Sequence, residues 1–138
     1  MATISLNERA VDGFLKILDY KCNACAVVDE NGRLVASLSA SDLRGMTNAK
    51  LRTILLPVME FFPAMTGKPY YIVPKSLGFK APPPLVCLAD DKLVDTMKII
   101  IKASTRRCWL IDRSYKPLGL ISMGKIIVCA LTNACEHL

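Results

Sequence analysis

The sequence predicts an α+β fold built from two copies of one β-α-β-β-α unit. Residues 27–43 match residues 110–126 without a gap at an offset of 83 positions, which pairs Asp29 with Asp112 and Ser39 with Ser122. The same offset, extended backwards, pairs Cys25 with Cys108. An ungapped register over about forty residues indicates a duplicated unit.

A hairpin followed by a helix is the clearest local signal in each copy. In the first copy, apolar residues 27–28 run into a polar turn at 29–32, and residues 34–38 alternate apolar with small side chains. Residues 39–42, Ser-Ala-Ser-Asp, predict the start of a helix that continues to about Met59, with Thr47-Asn48 as a possible break. In the second copy, residues 108–111 and 118–121 predict the equivalent hairpin, and residues 124–131 predict the closing helix.

Each copy is also predicted to begin with a short strand and a helix. The strands fall at residues 3–6 and 86–88. Asn7 is expected to cap the first helix, and Asp90 or Asp91 the second, because a short polar side chain accepts a free backbone N–H there. Apolar residues at helical spacing predict the buried stripes, which are Val11, Phe14, Leu15 and Leu18 in the first helix and Val94, Met97, Ile100 and Ile101 in the second.

These elements divide the chain into a first unit at residues 1–66, a Pro- and Gly-rich connector at 67–84 and a second unit at 85–138. With 52% hydrophobic and 22% charged residues, the chain is globular rather than disordered. Its net charge of +6 fits a polyanionic partner or simply a solvated basic face. No apolar signal region follows Met1, so the sequence predicts a soluble cytoplasmic protein that does not act at a membrane.

The six cysteines predict neither zinc binding nor a disulfide framework. Cys22 and Cys25 form a single C-x-x-C pair, and the only histidine is the penultimate residue, so a closed four-ligand zinc site is not expected. Four cysteines lie within apolar runs and are predicted to be small core residues in a reducing compartment: Cys25, Cys87, Cys108 and Cys129.

The hairpin with its apolar-apolar-Asp turn, followed by Ala36-x-Leu38-Ser39-x-x-Asp42, resembles the CBS domain. Two such domains in tandem resemble a Bateman module, which implies two half-units related by a pseudo-twofold axis. The segment at residues 84–88 and the pair Arg106-Arg107 are most similar to the nucleotide-binding gamma subunit of AMP-activated protein kinase. Because the residues ahead of the first strand help to line the cleft in that family, their near absence suggests a piece of a longer chain or a site left open.

The resemblance implies a regulatory ligand site in the cleft between the units, for an adenine nucleotide such as AMP, ADP or ATP. Ser39 and Asp42 would hold the ribose, and Leu38 with the backbone of residues 37–41 would line its wall. A carboxylate can accept both ribose hydroxyls, and free amide groups in the first turn of a helix can meet a phosphate. The implied ligand-binding set is Ser37, Leu38, Ser39, Ser41 and Asp42 from the first unit, with Val86 facing the base and Arg106 and Arg107 reaching the phosphates from the second.

Two positions depart from the pattern. Lys125 stands at the position equivalent to Asp42 and cannot accept ribose hydroxyls, which favours one adenosine site rather than two. Asn23 stands where the kinase-type pattern has a basic residue. These departures keep open a degenerate pair that acts only through protein interaction, and the basic surface keeps open nucleic-acid binding, although we expect neither nucleic acid nor membrane as partner.

No catalytic constellation is recognisable, so the sequence does not predict an enzyme. A regulated protein partner and a homodimer are expected instead, because CBS pairs usually associate through their helices. The apolar residues expected at that interface are Ile99, Ile100, Ile101, Ile126, Ile127 and Val128.

Overall fold

The computed structural model describes residues 1–66, 84–103 and 107–136. The chain divides into two units, Met1–Pro84 and Leu85–Leu138. Nearly all of the predicted connector, residues 67–83, lies outside the described residues. In the described parts, each unit has one three-stranded sheet with helices, so the predicted α+β class is confirmed.

The first unit consists of β1 (Thr3–Ser5), α1 (Ala10–Asp19), β2 (Ala24–Val28), β3 (Leu34–Ser39) and α2 (Val58–Thr66). Its strand order is β1-β2-β3, with β1 parallel and β3 antiparallel to β2. Two short 3₁₀ helices, Ala40–Leu43 and Leu51–Leu55, connect β3 to α2. The second unit consists of β4 (Val86–Leu88), α3 (Leu93–Lys102), β5 (Arg107–Ile111), β6 (Pro117–Ser122) and α4 (Met123–Glu136), with strand order β4-β5-β6.

The two sheets reproduce the sequence repeat in their hydrogen-bond register. Thr3 pairs with Ala26 in the first sheet, and 83 positions later Val86 pairs with Trp109 in the second. Both hairpins have a register shift at the equivalent step, Val27/Val28 and Leu110/Ile111. The duplication predicted from the sequence therefore extends to individual backbone pairs.

The hairpin turns are also built alike. The Asp29 carboxylate accepts hydrogen bonds from the N–H groups of Asn31 and Arg33, both at 2.9 Å. Asp112 accepts from Ser114 and Lys116 in the same way, at 2.8 and 2.9 Å. A short acidic side chain that bonds its own backbone two residues on is a known turn device, which explains the aspartate in each copy.

Asp29 makes the first unit sensitive to acid. Burial favours its protonated form, but the hydrogen bonds from Arg33 and Asn31 and the 2.9 Å ion pair with Arg33 outweigh this and hold the pKa of Asp29 below its ordinary value. A carboxyl with a lowered folded-state pKa stabilises the fold above its unfolded pKa, and this contribution is lost as the pH falls through the folded pKa.

We therefore expect Asp29→Asn to lower the free energy of unfolding at pH 7 by about 1 to 2 kcal/mol, since it weakens charge-assisted hydrogen bonds. The deficit relative to wild type should shrink as the pH falls from about 4, the ordinary pKa of aspartate in an unfolded chain, through the lower folded-state pKa of Asp29. Urea denaturation at several pH values measures both effects. Glu30→Gln, at the exposed neighbouring position, is the matched control and should change little; an equal deficit at pH 7 and in strong acid would contradict the assignment.

The predicted helix from Asp42 to about Met59, with a possible break at Thr47-Asn48, is wrong: the structure has two short 3₁₀ helices, Ala40–Leu43 and Leu51–Leu55, in its place. The chain leaves the helical region at Arg44, which is extended with ψ 136°, turns at Gly45, whose φ is +78°, and leaves it again at Leu56, which is extended with ψ 153°. Glycine adopts positive φ without steric cost, and the residue before Pro57 is disfavoured in the helical region. The second α-helix of the first unit therefore begins only at Val58.

The predicted helix caps are also wrong. Helix α1 begins after Arg9 and helix α3 after Lys92, and neither residue caps its helix with its side chain. The acidic residues near these starts brace the preceding turns instead: Glu8 accepts from the N–H of Ser5 at 3.4 Å, and Asp91 accepts from the N–H of Leu88 at 2.8 Å.

The predicted buried stripes of α1 and α3 are partly wrong. The face of α1 against the sheet consists of Ala10, Gly13 and Ile17, while Leu15 and Leu18 are 50% and 72% exposed. A Cβ on Gly13 would come within 2.5 Å of Leu38 Cδ2, so the helix approaches the sheet too closely for a larger side chain. In α3, the buried residues are Thr96 and Ile100, whereas Val94 and Ile101 are exposed.

Each unit has its own core. In the first, Ile4, Val27 and Leu38 from the strands pack with Ile17 of α1 and Phe61 of α2. In the second, Cys87, Cys108, Ile100 and Ile126 form the buried cluster. Helix α2 is tied to the start of α1 by backbone hydrogen bonds from Ala10 to Leu56 and from Val58 to Glu8, each 2.9 Å, so this helix belongs to the first unit.

Three of the predicted core cysteines are confirmed as buried: Cys25, Cys87 and Cys108. The side chain of Cys129 lies outside the described residues. Burial raises the pKa of the Cys25 and Cys108 thiols to about 12, which keeps both thiols protonated and unreactive at neutral pH. Across the described ranges, no helix is both long and apolar enough to cross a bilayer.

Candidate functional site

The strand-to-helix corner at the end of β3 brings together three of the predicted site residues. Asp42 Oδ2 accepts the N–H of Ser39 at 2.8 Å, and the Ser39 side chain accepts the N–H of Asp42 in return. The hydroxyls of Ser39 and Ser41 lie 2.6 Å apart. This reciprocal arrangement is a capping box, and it fixes a carboxylate and two hydroxyls at one corner.

The capping box bears on what Asp42 can do. Capping a helix is the simpler explanation of this aspartate, and the structure shows that it does cap. An ionised carboxylate has about four lone-pair sites on its two oxygens, so the backbone hydrogen bond on Oδ2 leaves the group chemically able to accept further hydrogen bonds. The corner is therefore a rigidly held acceptor, the type of group that binds neighbouring hydroxyls.

The two other site residues predicted in the first unit lie on opposite faces of β3. Leu38 is completely buried in the core beside Gly13, so its side chain does not line a site and only its backbone could do so. Ser37 is half-buried and pairs with Ala26, on the face opposite Leu38. Ser39 shares this face and is 7% exposed.

The structure does not support the expected phosphate contact at a helix N-terminus in the first unit, because the helix there is too short. The helix after Ser39 is a four-residue 3₁₀ helix, Ala40–Leu43, and not the long α-helix predicted from the sequence. A dipole strong enough to attract an anion is the property of a longer helix, because it sums over aligned peptide units.

The second unit replaces the carboxylate at the equivalent corner. Ser122 accepts the N–H of Lys125 at 3.2 Å, so half of the capping arrangement is retained. The Lys125 ammonium donates to the carbonyl of Leu120 at 3.1 Å and stays exposed. Because an ammonium has no acceptor, this corner cannot bind hydroxyls as the first one can.

The predicted residues of the second unit lie at the beginning of its strands. Val86 is the first residue of β4 and Arg107 the first of β5, and both are half-buried. Arg107 pairs directly with Ser122 across β5 and β6. Arg106 lies outside the described residues. Within the second unit, the structure therefore brings Arg107 next to the serine that is equivalent to Ser39.

Sequence reasoning missed Trp109, which pairs with Val86 on one side and Leu120 on the other. The repeat contained the signal, because the offset of 83 places this tryptophan at the position of Ala26. The two copies therefore differ strongly in side-chain size at this matched position. No group of three His, Cys, Asp or Glu side chains that could hold a metal is found among the residues described.

Known proteins with a similar sequence or fold were found for this chain. No protein-family profile matches the chain. A curated relative, the chloroplastic CBS domain-containing protein CBSX2 of Arabidopsis thaliana, is 25% identical over an alignment of 132 positions that covers 88% of this chain. The chain spans 56% of the length of that relative.

Solved structures agree on the fold. CBSX2 in complex with AMP superposes with a TM-score of 0.66 and 19% identity, covering 97% of this chain and 90% of that one. The CBS domain protein PAE2072 from Pyrobaculum aerophilum, complexed with AMP, gives 0.69 and 12%, covering 95% and 91%. Staphylococcus aureus OpuCA gives 0.63 and 17%, covering 96% and 93%. The chain has the fold of these proteins, and its similarities support a CBS-domain protein.

Proposed function

We propose that this chain is a regulatory CBS pair that binds one adenine nucleotide, AMP, ADP or ATP, and signals its occupancy to a protein partner or to a second copy of itself. The observation that carries the proposal is the corner of Ser39, Ser41 and Asp42, where a capping box holds a carboxylate and two hydroxyls in place. Two proteins of the same fold have AMP bound, which supports the choice of ligand.

One nucleotide per chain is proposed because the two corners differ. The first offers the Asp42 carboxylate, and the second offers the Lys125 ammonium, which cannot accept ribose hydroxyls. Val86, Arg106 and Arg107 stay the predicted contributors from the second unit, with the guanidinium groups meeting phosphate. The specific similarity to a kinase gamma subunit likewise stays a prediction.

Isothermal titration calorimetry with AMP and with adenosine tests this proposal. We expect one AMP per chain, and weaker binding of adenosine because it lacks the phosphate that an arginine would pair with. Two equal AMP molecules per chain would contradict the role given to Lys125. Failure of AMP, ADP and ATP to bind at millimolar concentration would overturn the proposed function.

The alternative is a CBS pair that acts only by protein interaction, and it is favoured by the capping role that Asp42 already has. Thermal unfolding with and without AMP separates the two functions, because a ligand at a hundred times its dissociation constant stabilises the fold by about 2.7 kcal/mol. A module without a ligand shows no such shift. Binding of a polynucleotide through the basic surface would instead weaken steeply with salt.

The exposed apolar residues of α3 and α4 support the proposal that a homodimer transmits the occupancy of the nucleotide site. Four of the six predicted interface residues are exposed, namely Ile99, Ile101, Ile127 and Val128. Ile100 and Ile126 are buried in the core of the second unit, so the prediction that they lie at an interface is wrong. Sedimentation velocity at micromolar concentration should show a dimer, and a monomer alone would contradict this part of the proposal.

A further inference from the structure

The first helix of each unit carries a matched apolar stripe outside the face that packs on its sheet. The offset of 83 matches Val11 with Val94 and Leu18 with Ile101. Residues seven positions apart lie on the same side of a helix, so each pair forms one stripe. Leu18 is 72% exposed and Ile101 is 63% exposed, which leaves both stripes open to solvent.

Further exposed apolar side chains lie on the elements beside these helices. In the first unit, α1 packs against the second 3₁₀ helix, which exposes Leu51 and Leu55. In the second unit, α3 packs against α4, which exposes Ile127, Val128 and Leu131. Grouped apolar side chains at a protein surface mark interaction sites. We call α1 with the second 3₁₀ helix the α1 surface, and α3 with α4 the α3 surface.

The two helices differ in charge although their apolar stripes match. Helix α1 presents the carboxylates of Asp12 and Asp19, whereas α3 presents the ammonium groups of Lys98 and Lys102 beside the carboxylate of Asp95. All five side chains belong to exposed residues. At one matched position the charge is reversed, from Asp19 in α1 to Lys102 in α3. The outer side of α1 is therefore acidic, and that of α3 is net basic.

These charges are not neutralised by ion pairs within the described part of the chain. The ion pairs found there involve none of Asp12, Asp19, Lys98 and Lys102. Asp19 is also the last residue of α1, where the negative end of the helix dipole disfavours a carboxylate. A cation from another molecule would offset this unfavourable position.

The other charged residues near α1 do not cancel its acidic character. Lys16 is turned toward the sheet, where its ammonium donates to the carbonyl of Thr3 at 2.8 Å and lies 3.7 Å from the carboxylate of Glu8. On the neighbouring elements, the exposed cation Arg52 and the exposed anion Glu60 offset each other.

We propose that the α1 surface of one copy binds the α3 surface of a second copy, so that the homodimer joins unlike units. Pairing of like surfaces would place Asp12 and Asp19 against the same carboxylates of the other copy, and like charges across an interface suppress association. Pairing of unlike surfaces covers the same apolar stripes and brings opposite charges together. The twofold axis that exchanges the copies repeats each contact. This inference rests on the homodimer of the proposed function and names its contacting surfaces.

The contact would connect the nucleotide corner of one copy to the second unit of the other. Gly13 of α1 lies so close to β3 that a Cβ there would come within 2.5 Å of Leu38 Cδ2. Leu38 directly precedes Ser39 of the capping box. A shift of this corner on ligand binding would reach α1 through direct packing, and α1 would pass it to α3 of the second copy. A ligand that favours one arrangement of the dimer is sufficient for regulation.

Cysteine cross-linking tests which surfaces meet. Leu15→Cys and Lys98→Cys change matched exposed positions in the middle of α1 and α3, so the outcome does not depend on the direction in which the helices cross. Treated with a short bismaleimide, a mixture of the two variants should give covalent dimers, and neither variant alone should exceed the wild-type background from native cysteines. Links within either variant alone, or none in the mixture when sedimentation shows a dimer, would overturn the inference and leave the homodimer standing.

A charge exchange tests the electrostatic reason. Asp12→Lys with Asp19→Lys should raise the dimer dissociation constant at least about threefold, the scale of a few exposed ion pairs, and Lys98→Glu with Lys102→Glu should do the same. The variant with all four changes keeps the net charge of wild type and should recover its dissociation constant, because the surfaces have exchanged signs. Sedimentation equilibrium measures all four proteins. Unchanged dimerisation in both double variants would contradict the inference.

The oligomeric state of wild type separates this inference from the rest of the proposed function. If wild type is a monomer at every concentration tested, both the inference and the homodimer are wrong, and the two surfaces are left for a different protein. The calorimetric titration with AMP is independent of that result, because the Asp42 corner lies within the first unit.

Discussion

Asp42→Ala is expected to weaken AMP binding at least about tenfold. A carboxylate that accepts ribose hydroxyls makes charge-assisted hydrogen bonds worth roughly 1.5 to 3 kcal/mol each, and about 1.4 kcal/mol corresponds to a factor of ten in affinity. Calorimetric titration of both proteins with AMP measures the change. The same carboxylate also holds the backbone N–H of Ser39, so the variant loses part of the corner as well.

Two further variants separate ligand binding from capping. Asp42→Asn keeps an oxygen that can accept the Ser39 N–H but removes the charge, so it should retain thermal stability and still bind AMP more weakly. Lys125→Ala changes the matched position of the second unit and should leave the AMP affinity within about twofold, because an ammonium cannot accept hydrogen bonds from the ribose hydroxyls as Asp42 can. Wild-type affinity in Asp42→Ala would show that this residue is only a cap.

Phe61→Ala is expected to destabilise the fold by about 3 to 5 kcal/mol, the largest effect on stability that we expect of a single side chain here. Phe61 is fully buried in the first core. Its ring lies edge-to-face with Phe14 of α1 at 5.7 Å and with Phe62 at 5.6 Å between ring centroids. Truncation leaves a cavity where α2 meets α1, because the backbone contacts around Pro57 prevent the helix from closing the gap.

Urea denaturation at pH 7 measures this loss against a total stability that is typically about 5 to 15 kcal/mol. Met59→Ala is the matched control on the same helix, since Met59 is 38% exposed and should cost about 1 kcal/mol or less. If Phe61→Ala does not fold, Phe61→Leu retains most of the volume and should lose less than alanine would. A cost for Phe61 no greater than that for Met59 would show that α2 is not part of the core.

The repeat made the strands predictable. A hairpin needs only local signals, namely apolar alternation and an aspartate that bonds the turn backbone, and both copies carry them at the same offset. All six strands lie where the sequence predicts them, although β2 begins three residues before the predicted Val27, at Ala24. The asymmetry of the two corners is also visible in the sequence, because aspartate and lysine differ in hydrogen-bonding capacity whatever surrounds them.

The predicted helix from Asp42 to about Met59 was wrong although the sequence contains residues that argue against it. Gly45 and Pro57 both disfavour a continuous helix, yet the apolar spacing from Leu51 to Met59 suggests one. Periodicity reports which residues could share a face, whereas backbone geometry decides whether the helix forms at all. The predicted cap at Asp91 fails for another reason, since its carboxylate accepts the N–H of Leu88 and so braces the preceding turn and not the helix end.

The duplicated unit, its hairpins and the replacement of Asp42 by Lys125 in the second copy all follow from the order of the residues alone. Which side of each helix is inside follows only from the packing. In α1 the buried side includes the small residues Ala10 and Gly13, because close approach of helix to sheet excludes larger side chains and leaves Leu15 and Leu18 outside. Likewise, only the tertiary structure places Trp109 beside Val86 in the sheet. It also shows that the indole N–H is buried without a partner among the described residues, which the sequence cannot give because burial depends on contacts between segments distant in sequence.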